Sequence, residues 1–219
     1  MLADALVGRA FVDARRIGKL LLLDTDGGLT LGLRFGMTGR LMVDGELGID
    51  DLQYSSVRDE PAWDRVTFRF TTGDLRIRDP RRLGGVVLDP DESRLGPDVL
   101  SIKPAQLRDA FAGSTAPVKA RLLDQQRVAG VGNLIADEAL WRAGVDPART
   151  AASLNPAEIR RLHRHLRATV AELLERGGSH TGDVFHARAP GERCPRDGTP
   201  MIRRTVGGRT TWSCPRHQR

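Results

Sequence analysis

The first clue to the fold comes from residues 130–144, which read GVGNLIADEALWRAG. Helical periodicity runs from Val118 to Gly144, and Gly130 and Gly132 allow the chain to turn tightly between two helical segments. Asn133 is expected to cap the second helix, whose first N–H groups would then offer a site for a phosphate. An ordinary helix–turn–helix corner is the alternative interpretation of the same pattern.

The first hundred residues show the two-residue period that is typical of β-strands. Apolar side chains alternate with smaller or polar ones from Leu29 to Met37 and again from Val66 to Phe70. A turn at residues 71–74 follows the second run and predicts a β-hairpin with the strand around Ile77. Residues 1–100 are therefore expected to form an antiparallel sheet or sandwich.

Helical structure is predicted for residues 101–180. The clearest helix begins at Asn155, with Pro156 at its first position and Glu158 placed to complete a capping box. An apolar stripe follows, and Gly177 and Gly178 end the helix. Residues 181–219 are rich in arginine and hold too little apolar material for an independent core, so they need a cross-link or a partner.

Four potential metal ligands lie in that last segment: Cys194, Asp197, Cys214 and His217. Their spacing, C-x2-D-x16-C-x2-H, joins two short knuckles by an insert of hairpin length, and it predicts a zinc ribbon with one structural Zn²⁺. Residues 201–206 and 210–212 are expected to be the two strands of that insert. The alternative is a ribbon without metal, held by the packing of Trp212, with two free thiols.

The composition favours a nucleic-acid partner. The chain has 219 residues, 34 of them lysine or arginine against 28 acidic ones, and a net charge of +6. Only Lys19, Lys103 and Lys119 are lysines, and arginine forks suit phosphate groups and guanine bases. A solvated basic surface is the alternative. The longest apolar run, Leu20 to Leu23, is too short for a membrane span, and two cysteines favour a reducing, cytoplasmic location.

Four motifs occur in an order that points to one protein family. They are GMTGR at residues 36–40, DPRRLG at 79–84, the stretch at 130–144, and GRTTWSC at 208–214. Together they resemble the formamidopyrimidine-DNA glycosylase/endonuclease VIII family over essentially the whole chain, and residues 130–144 look more like the formamidopyrimidine branch. The resemblance implies an α+β fold with an incomplete antiparallel β-sandwich (1–100), a helix–two-turn–helix domain (101–180) and a zinc ribbon (181–219).

Members of this family excise oxidised bases and then cut the abasic strand, so the resemblance implies damaged or abasic double-stranded DNA as the partner. The positions that match the family's DNA contacts are Met37, Arg65, Arg81, Leu83, Lys119, Asn133 and Arg209. Met37, Arg81 and Leu83 would fill the gap that an extruded base leaves in the stack. Leu83 replaces the more usual phenylalanine. This change should weaken stacking on the neighbouring bases, but the leucine side chain should still insert into the gap as a wedge.

The resemblance also implies contacts to the DNA backbone. Asn133 would hold a phosphate at the helix N-terminus, and Arg209 would meet the phosphate at the lesion. Lys19 matches the family's lysine that contacts phosphate and assists β-elimination. Lys19 and Arg209 are therefore the catalytic positions that the resemblance carries over to this chain.

The beginning of the chain departs from the family pattern. Family enzymes begin Pro-Glu after removal of methionine, and the proline amine attacks C1′ of the sugar. This sequence begins Met-Leu-Ala-Asp, and its first proline is Pro61. We therefore expect an N-terminally truncated member that starts inside the β domain. Residues 178–191 are also short relative to the family, so the loop that covers an everted base is expected to be missing.

These departures predict a damaged-DNA-binding protein with little or no catalysis. The alternative is an active bifunctional DNA glycosylase/AP lyase for oxidised purines, which requires a start upstream of Met1 or another amine as the nucleophile. A protein-interaction module is a third class. It is disfavoured because interfaces between proteins use aromatic anchors, and aromatic residues make up only 5% of the chain.

Overall fold

The computed structural model describes residues 2–48, 58 and 60–219. The chain divides into two compact units, Met1–Glu92 and Ser93–Arg219. The regular elements in the described part of the first unit are mostly strands, whereas the second unit contains the long helices and a two-stranded hairpin. The predicted mixed α+β class is confirmed. The finer division into three domains, at residues 100 and 180, stays a prediction.

Two four-stranded antiparallel sheets form the framework of the first unit. A short helix, α1 (Leu2–Leu6), precedes them. The strands are β1 (Phe11–Ile17), β2 (Leu20–Thr25), β3 (Thr30–Arg34), β4 (Arg40–Val43), β5 (Glu46–Leu47), β6 (Asp64–Arg69), β7 (Asp74–Arg78) and β8 (Gly85–Leu88). One sheet has the order β1-β2-β3-β8 and the other β5-β4-β7-β6. Each sheet therefore contains strands that are distant in sequence, and β8 returns the chain to the first sheet.

One apolar cluster joins the two sheets. Leu31 and Leu33 on β3 are fully buried, and Ile77 on β7 belongs to the same cluster. The ring of Phe11 on β1 meets the ring of Phe68 on β6 edge to face, with the ring centroids 5.9 Å apart. The sheets thus pack face to face, as the alternation of apolar residues predicted.

The turns of the first unit follow the sequence signals with one difference. The β6–β7 hairpin is confirmed, since the N–H of Phe70 donates to the carbonyl of Gly73 at 2.8 Å. The strand predicted over residues 29–37, however, ends at Arg34. Gly36 has a φ of +60°, so the chain leaves the sheet there and Met37 lies in a turn.

The second unit packs its helices around a separate core. The elements are α2 (Pro104–Phe111), α3 (Val118–Leu123), α4 (Asn133–Ala143), α5 (Pro156–Glu175), β9 (Ile202–Val206) and β10 (Arg209–Ser213). Phe111, Leu122, Leu140 and Leu166 bring all four helices into this core. Among the helices of the described residues, none is long and apolar enough to cross a membrane.

The C-terminal segment has its own small cluster of buried side chains. Trp141 on α4 packs with Met201, Trp212 and the two cysteines. The strands around Gly207 are confirmed, because β9 and β10 pair antiparallel across that turn. Helix α4 therefore supplies the apolar surface that the arginine-rich segment lacks.

The two predicted helix starts differ. At α5 the capping box is confirmed, because the Asn155 side chain accepts from the N–H of Glu158 and the Glu158 carboxylate accepts from the N–H of Asn155. At α4 the predicted cap is wrong: Gly132 is the N-cap, and Asn133 is the first helical residue. Its side-chain amide donates instead to the carbonyl of Thr210 at 3.1 Å.

Candidate nucleic-acid interface and metal centre

The four predicted metal ligands converge in the structure. One ligand atom from each lies within 4.8 Å of the others: Cys194, Asp197, Cys214 and His217. Both thiols are buried, and the other two side chains are partly buried. The Asp197 carboxylate is oriented by its own knuckle, because its Oδ1 accepts from the N–H of Thr199 at 2.9 Å. This hydrogen bond holds the pKa of Asp197 well below its usual value, so the carboxylate is ionised.

The spacing of these atoms suits a tetrahedral metal ion. Asp197 Oδ2 is 3.4 Å from Cys214 Sγ and 3.4 Å from His217 Nδ1, and Cys194 Sγ is 3.6 Å from the same nitrogen. Metal–ligand bonds of about 2.0–2.3 Å require tetrahedral edges of roughly 3.3–3.8 Å. The donor set of two sulfurs, one imidazole and one carboxylate is compatible with zinc.

Trp141 supports the cluster from α4, a role that the spacing of the ligands did not reveal. Its indole N–H donates to Cys194 Sγ at 3.3 Å, and its carbonyl oxygen lies 3.2 Å from His217 Nε2. A proton on Nε2 would donate to that carbonyl and leave the Nδ1 lone pair for the metal. The Arg196 guanidinium lies over the Trp141 ring, 4.9 Å from its centroid.

The tip of the β9–β10 hairpin presents Arg209 to solvent beside the helices. A Cβ on Gly207 would lie 2.7 Å from the Cβ of Ala120, so only glycine allows the tip to approach α3 this closely. The Asn133 amide donates to the neighbouring Thr210 carbonyl, which ties the tip to the first turn of α4. The backbone beside exposed Arg209 therefore lies next to the positive end of the α4 dipole.

Lys119 requires a correction to the expectation that it contacts DNA. It is fully buried on α3, and its ammonium lies 2.7 Å from Asp137 Oδ1, also fully buried. It also donates to the Thr210 carbonyl and the Thr211 hydroxyl. Burial lowers the pKa of Lys119, and the Asp137 carboxylate opposes that shift. Because all these partners belong to the protein, Lys119 is not presented to a ligand.

Met37 and Leu83 lie on two loops of the first unit that touch each other. A Cβ on Gly36 would lie 2.7 Å from the backbone of Leu83, which places the two turns in contact. Met37 is 50% exposed and Leu83 is 49% exposed, although both are apolar. Arg82 adopts a φ of +55°, an unfavourable conformation for a residue with a side chain. The structure therefore brings together two of the three residues expected to fill a gap in the base stack.

Asp79 holds the loop that carries Leu83, and the sequence did not single it out. It is 2% exposed and accepts from the Thr38 hydroxyl at 2.6 Å and from the N–H of Gly84 at 2.7 Å. Burial alone would raise the pKa of Asp79, but these hydrogen bonds and the N–H of Arg81 outweigh it, so the pKa lies below its usual value. The ionised carboxylate thus closes residues 79–84 into a fixed loop.

The remaining predicted residues of the first unit lie at its surface. Lys19 is exposed at the turn between β1 and β2, and Arg81 is exposed on the loop that Asp79 organises. Arg65 on β6 is partly buried, and it donates to the carbonyls of Asp79 and Ala62. Arg65 therefore supports the loop in this structure, and DNA contact by any of the three stays a prediction.

Models of known protein families match residues in both units. Residues 1–86 match the model of the formamidopyrimidine-DNA glycosylase N-terminal domain, and residues 95–184 match that of the formamidopyrimidine-DNA glycosylase H2TH domain. The chain is 35% identical to the formamidopyrimidine-DNA glycosylase of Paracoccus denitrificans, over 98% of this chain and 84% of that protein. The chain belongs to this family. Its Thermus thermophilus member is 36% identical over 95% of this chain and 82% of that protein.

Solved structures of family members have the same fold. The Lactococcus lactis Fpg, in complex with DNA that contains an abasic site, matches with a TM-score of 0.80 at 25% identity over 100% of this chain and 85% of that one. The MutM (Fpg) protein of Thermus thermophilus matches with a TM-score of 0.77 at 34% identity over 96% of this chain and 84% of that one. The family resemblance inferred from the four motifs is confirmed.

The role of Asp79 predicts a pH-dependent loss of stability in Asp79→Asn. An amide cannot accept from all of these donors, so the free energy of unfolding should fall by about 1–3 kcal/mol at pH 7. Because the pKa of Asp79 is lowered by folding, its contribution is present above the usual aspartate pKa and disappears as the pH falls through the lower folded value. Urea unfolding between pH 7 and pH 2 should show the two proteins converging below about pH 4.

The exposed Asp26→Asn in the same unit is the matched control. It should unfold like the wild type at every pH. A difference between wild type and Asp79→Asn that stays constant with pH would contradict the assignment, because it would not arise from the carboxylate charge.

Proposed function

We propose that residues 1–219 bind damaged or abasic double-stranded DNA as part of base-excision repair, with little or no catalysis by these residues alone. The observation that carries the proposal is the hairpin tip, where exposed Arg209 lies beside the N-terminus of α4. Family membership supports it, since the Lactococcus lactis Fpg structures hold abasic-site DNA and DNA containing Fapy-dG.

The second unit would supply the phosphate contacts. Helix α4 has eleven residues, so its dipole and its free N–H groups favour an anion at Asn133. Arg209 would add a guanidinium that pairs with phosphate oxygens. The two elements are joined by a hydrogen bond, because the Asn133 amide donates to the carbonyl of Thr210, the residue that follows Arg209. The geometry thus favours one backbone phosphate bound by two elements.

The first unit would supply the wedge. Met37 and Leu83 offer adjoining, half-exposed apolar surface, and Arg81 stands two residues before Leu83 on the same loop. Extruding a base costs a few kcal/mol of stacking, and apolar side chains that enter the stack recover part of it. Recognition of a distorted or abasic site therefore requires no base-specific pocket, and the lesion preference follows from ease of extrusion.

The family's route of base excision and strand cleavage uses an amine that attacks the sugar. Residues 1–219 contain no proline before Pro61 and no glutamate before Glu46, so they do not offer the family's Pro-Glu pair. Lys19 is a primary amine on an exposed turn, and we assign it a phosphate contact. Excision of oxidised purines with strand cleavage remains the alternative function, through another amine or through residues upstream of Met1.

The C-terminal segment would hold one structural Zn²⁺ through Cys194, Asp197, Cys214 and His217. A bound zinc ion cross-links the two knuckles and supplies folding free energy to a segment with a small core. The protein's own contribution is the orientation of the ligands: Thr199 fixes the Asp197 carboxylate, and Trp141 contacts Cys194 and His217. We therefore assign residues 181–219 to a zinc ribbon whose hairpin carries Arg209.

The phosphate site predicts the behaviour of Arg209→Ala. Its affinity for a duplex with an abasic analogue should fall, and the slope of log affinity against log salt should shrink by about one, because one phosphate contact is lost. Fluorescence anisotropy at several salt concentrations measures both quantities. Arg167→Ala, an exposed arginine on α5, is the charge-matched control and should keep most of the affinity. An unchanged slope in Arg209→Ala would remove the hairpin from the interface.

Borohydride trapping tests the absence of catalysis. The 219-residue chain should bind duplex DNA with an abasic site tightly and yield no covalent adduct, because residues 1–219 do not offer the proline amine that the family uses as its nucleophile. The Thermus thermophilus relative serves as the trapping standard under the same conditions. A trapped adduct would establish the alternative function, and peptide mapping would locate the amine, with Met1 and Lys19 examined first.

The metal assignment predicts about one zinc per chain by elemental mass spectrometry of the purified protein. Cys214→Ala should lose the metal and lower the melting temperature, whereas Arg216→Ala, an exposed neighbour in the same knuckle, should keep both. Chelation of the wild type should lower its melting temperature to that of Cys214→Ala. A metal-free wild type whose melting temperature does not respond to zinc or chelator would overturn the assignment.

A further inference from the structure

Three charged side chains from three segments meet inside the second unit. Asp137 on α4 is fully buried and pairs with Lys119 on α3 at 2.7 Å through Oδ1. Its other oxygen, Oδ2, lies 2.9 Å from Nε of Arg188, which is 11% exposed and lies in the connection between α5 and the hairpin. One carboxylate therefore pairs with two cations, and the three side chains together carry a net positive charge.

This buried triad extends directly to the hairpin tip. The Lys119 ammonium donates to the Thr210 carbonyl at 3.1 Å and to the Thr211 hydroxyl at 2.7 Å. The Thr211 hydroxyl in turn donates to the carbonyl of Arg209 at 3.0 Å. Asn133 donates to the same Thr210 carbonyl. The backbone that carries the Arg209 side chain is thus held by Lys119.

Stability alone gives no reason for such an arrangement. A fully buried ion pair contributes little net stability relative to apolar side chains of the same volume, because two charges must be desolvated. What the triad provides is a fixed distance between α3, α4 and the hairpin. When the hairpin tip is already rigid in the free protein, Arg209 has less conformational freedom to lose on binding a phosphate.

We propose that Lys119, Asp137 and Arg188 are positioning residues that hold the hairpin tip so that Arg209 meets a DNA phosphate. The inference rests on the proposed function, and it assigns to Lys119 an indirect role in place of direct DNA contact. Loss of the Lys119 contacts should therefore weaken DNA binding chiefly through Arg209.

Lys119→Met tests whether Lys119 holds the hairpin tip in place. It fills similar volume without charge, and it leaves Asp137 paired with Arg188, so no buried charge loses all its partners. Affinity for a duplex with a tetrahydrofuran abasic analogue should fall about tenfold, with a salt slope smaller by about one, as for Arg209→Ala. In an Arg209→Ala background the same substitution should cost less than about twofold, because coupled residues are not additive.

Val118→Ala is the matched control for destabilisation. Val118 is fully buried beside Lys119 but faces the helical core, so its truncation should lower the melting temperature and leave the salt slope unchanged. Equal losses from Lys119→Met in the presence and absence of Arg209 would overturn the proposal, as would a smaller salt slope in Val118→Ala.

Hydrogen exchange of the free protein separates this inference from the proposed function. Amides of residues 206–211 should exchange faster in Lys119→Met than in the wild type, and Val118→Ala should not single out this segment. Unchanged exchange at the tip would overturn the positioning role even if DNA binds. Failure of the wild type to bind the duplex would instead contradict the proposed function, while the exchange data would still decide whether Lys119 holds the tip.

Discussion

Two neighbouring carboxylates on α4, Asp137 and Glu138, are removed from water, and the second unit is arranged around their partners. Asp137 is paired with Lys119 and Arg188. Glu138 accepts hydrogen bonds from the backbone N–H groups of residues 183–184. Because a buried carboxylate without such partners is strongly destabilising, α3 and the connection after α5 are both drawn onto α4.

The hairpin that carries Arg209 depends on this arrangement. Its two strands are too short to fold alone, and its position is set at three places along α4: by Asn133 at the start, by Asp137 through Lys119, and by Trp141 near the end. The metal-ligand cluster and the hairpin tip that carries Arg209 thus share one support. In the first unit Asp79 has the corresponding role, since one buried carboxylate closes the loop that exposes Leu83.

Local signals in the sequence predicted the elements with well-defined chemistry. The capping box of Asn155 and the β6–β7 turn formed as expected, because each depends on residues within a few positions of each other. The cap at Asn133 was wrong for the opposite reason. Its amide is bound by Thr210, 77 positions later in the chain, and no local pattern records such a partner. Lys119 was misplaced likewise, since a lysine in a basic sequence is indistinguishable from a solvent-exposed one until its burial is known.

The sequence by itself determined the family, the α+β class and the metal-ligand spacing, because these depend on residue type and on short separations along the chain. Only the tertiary structure decided which charged groups face solvent. Arg209 and Lys119 are both cations, and Lys119 contacts the hairpin that carries Arg209. Arg209 is exposed, whereas Lys119 is buried beside Asp137. The physical reason is desolvation: the free energy of a charge depends on what surrounds it in three dimensions, and its neighbours there come from distant parts of the chain.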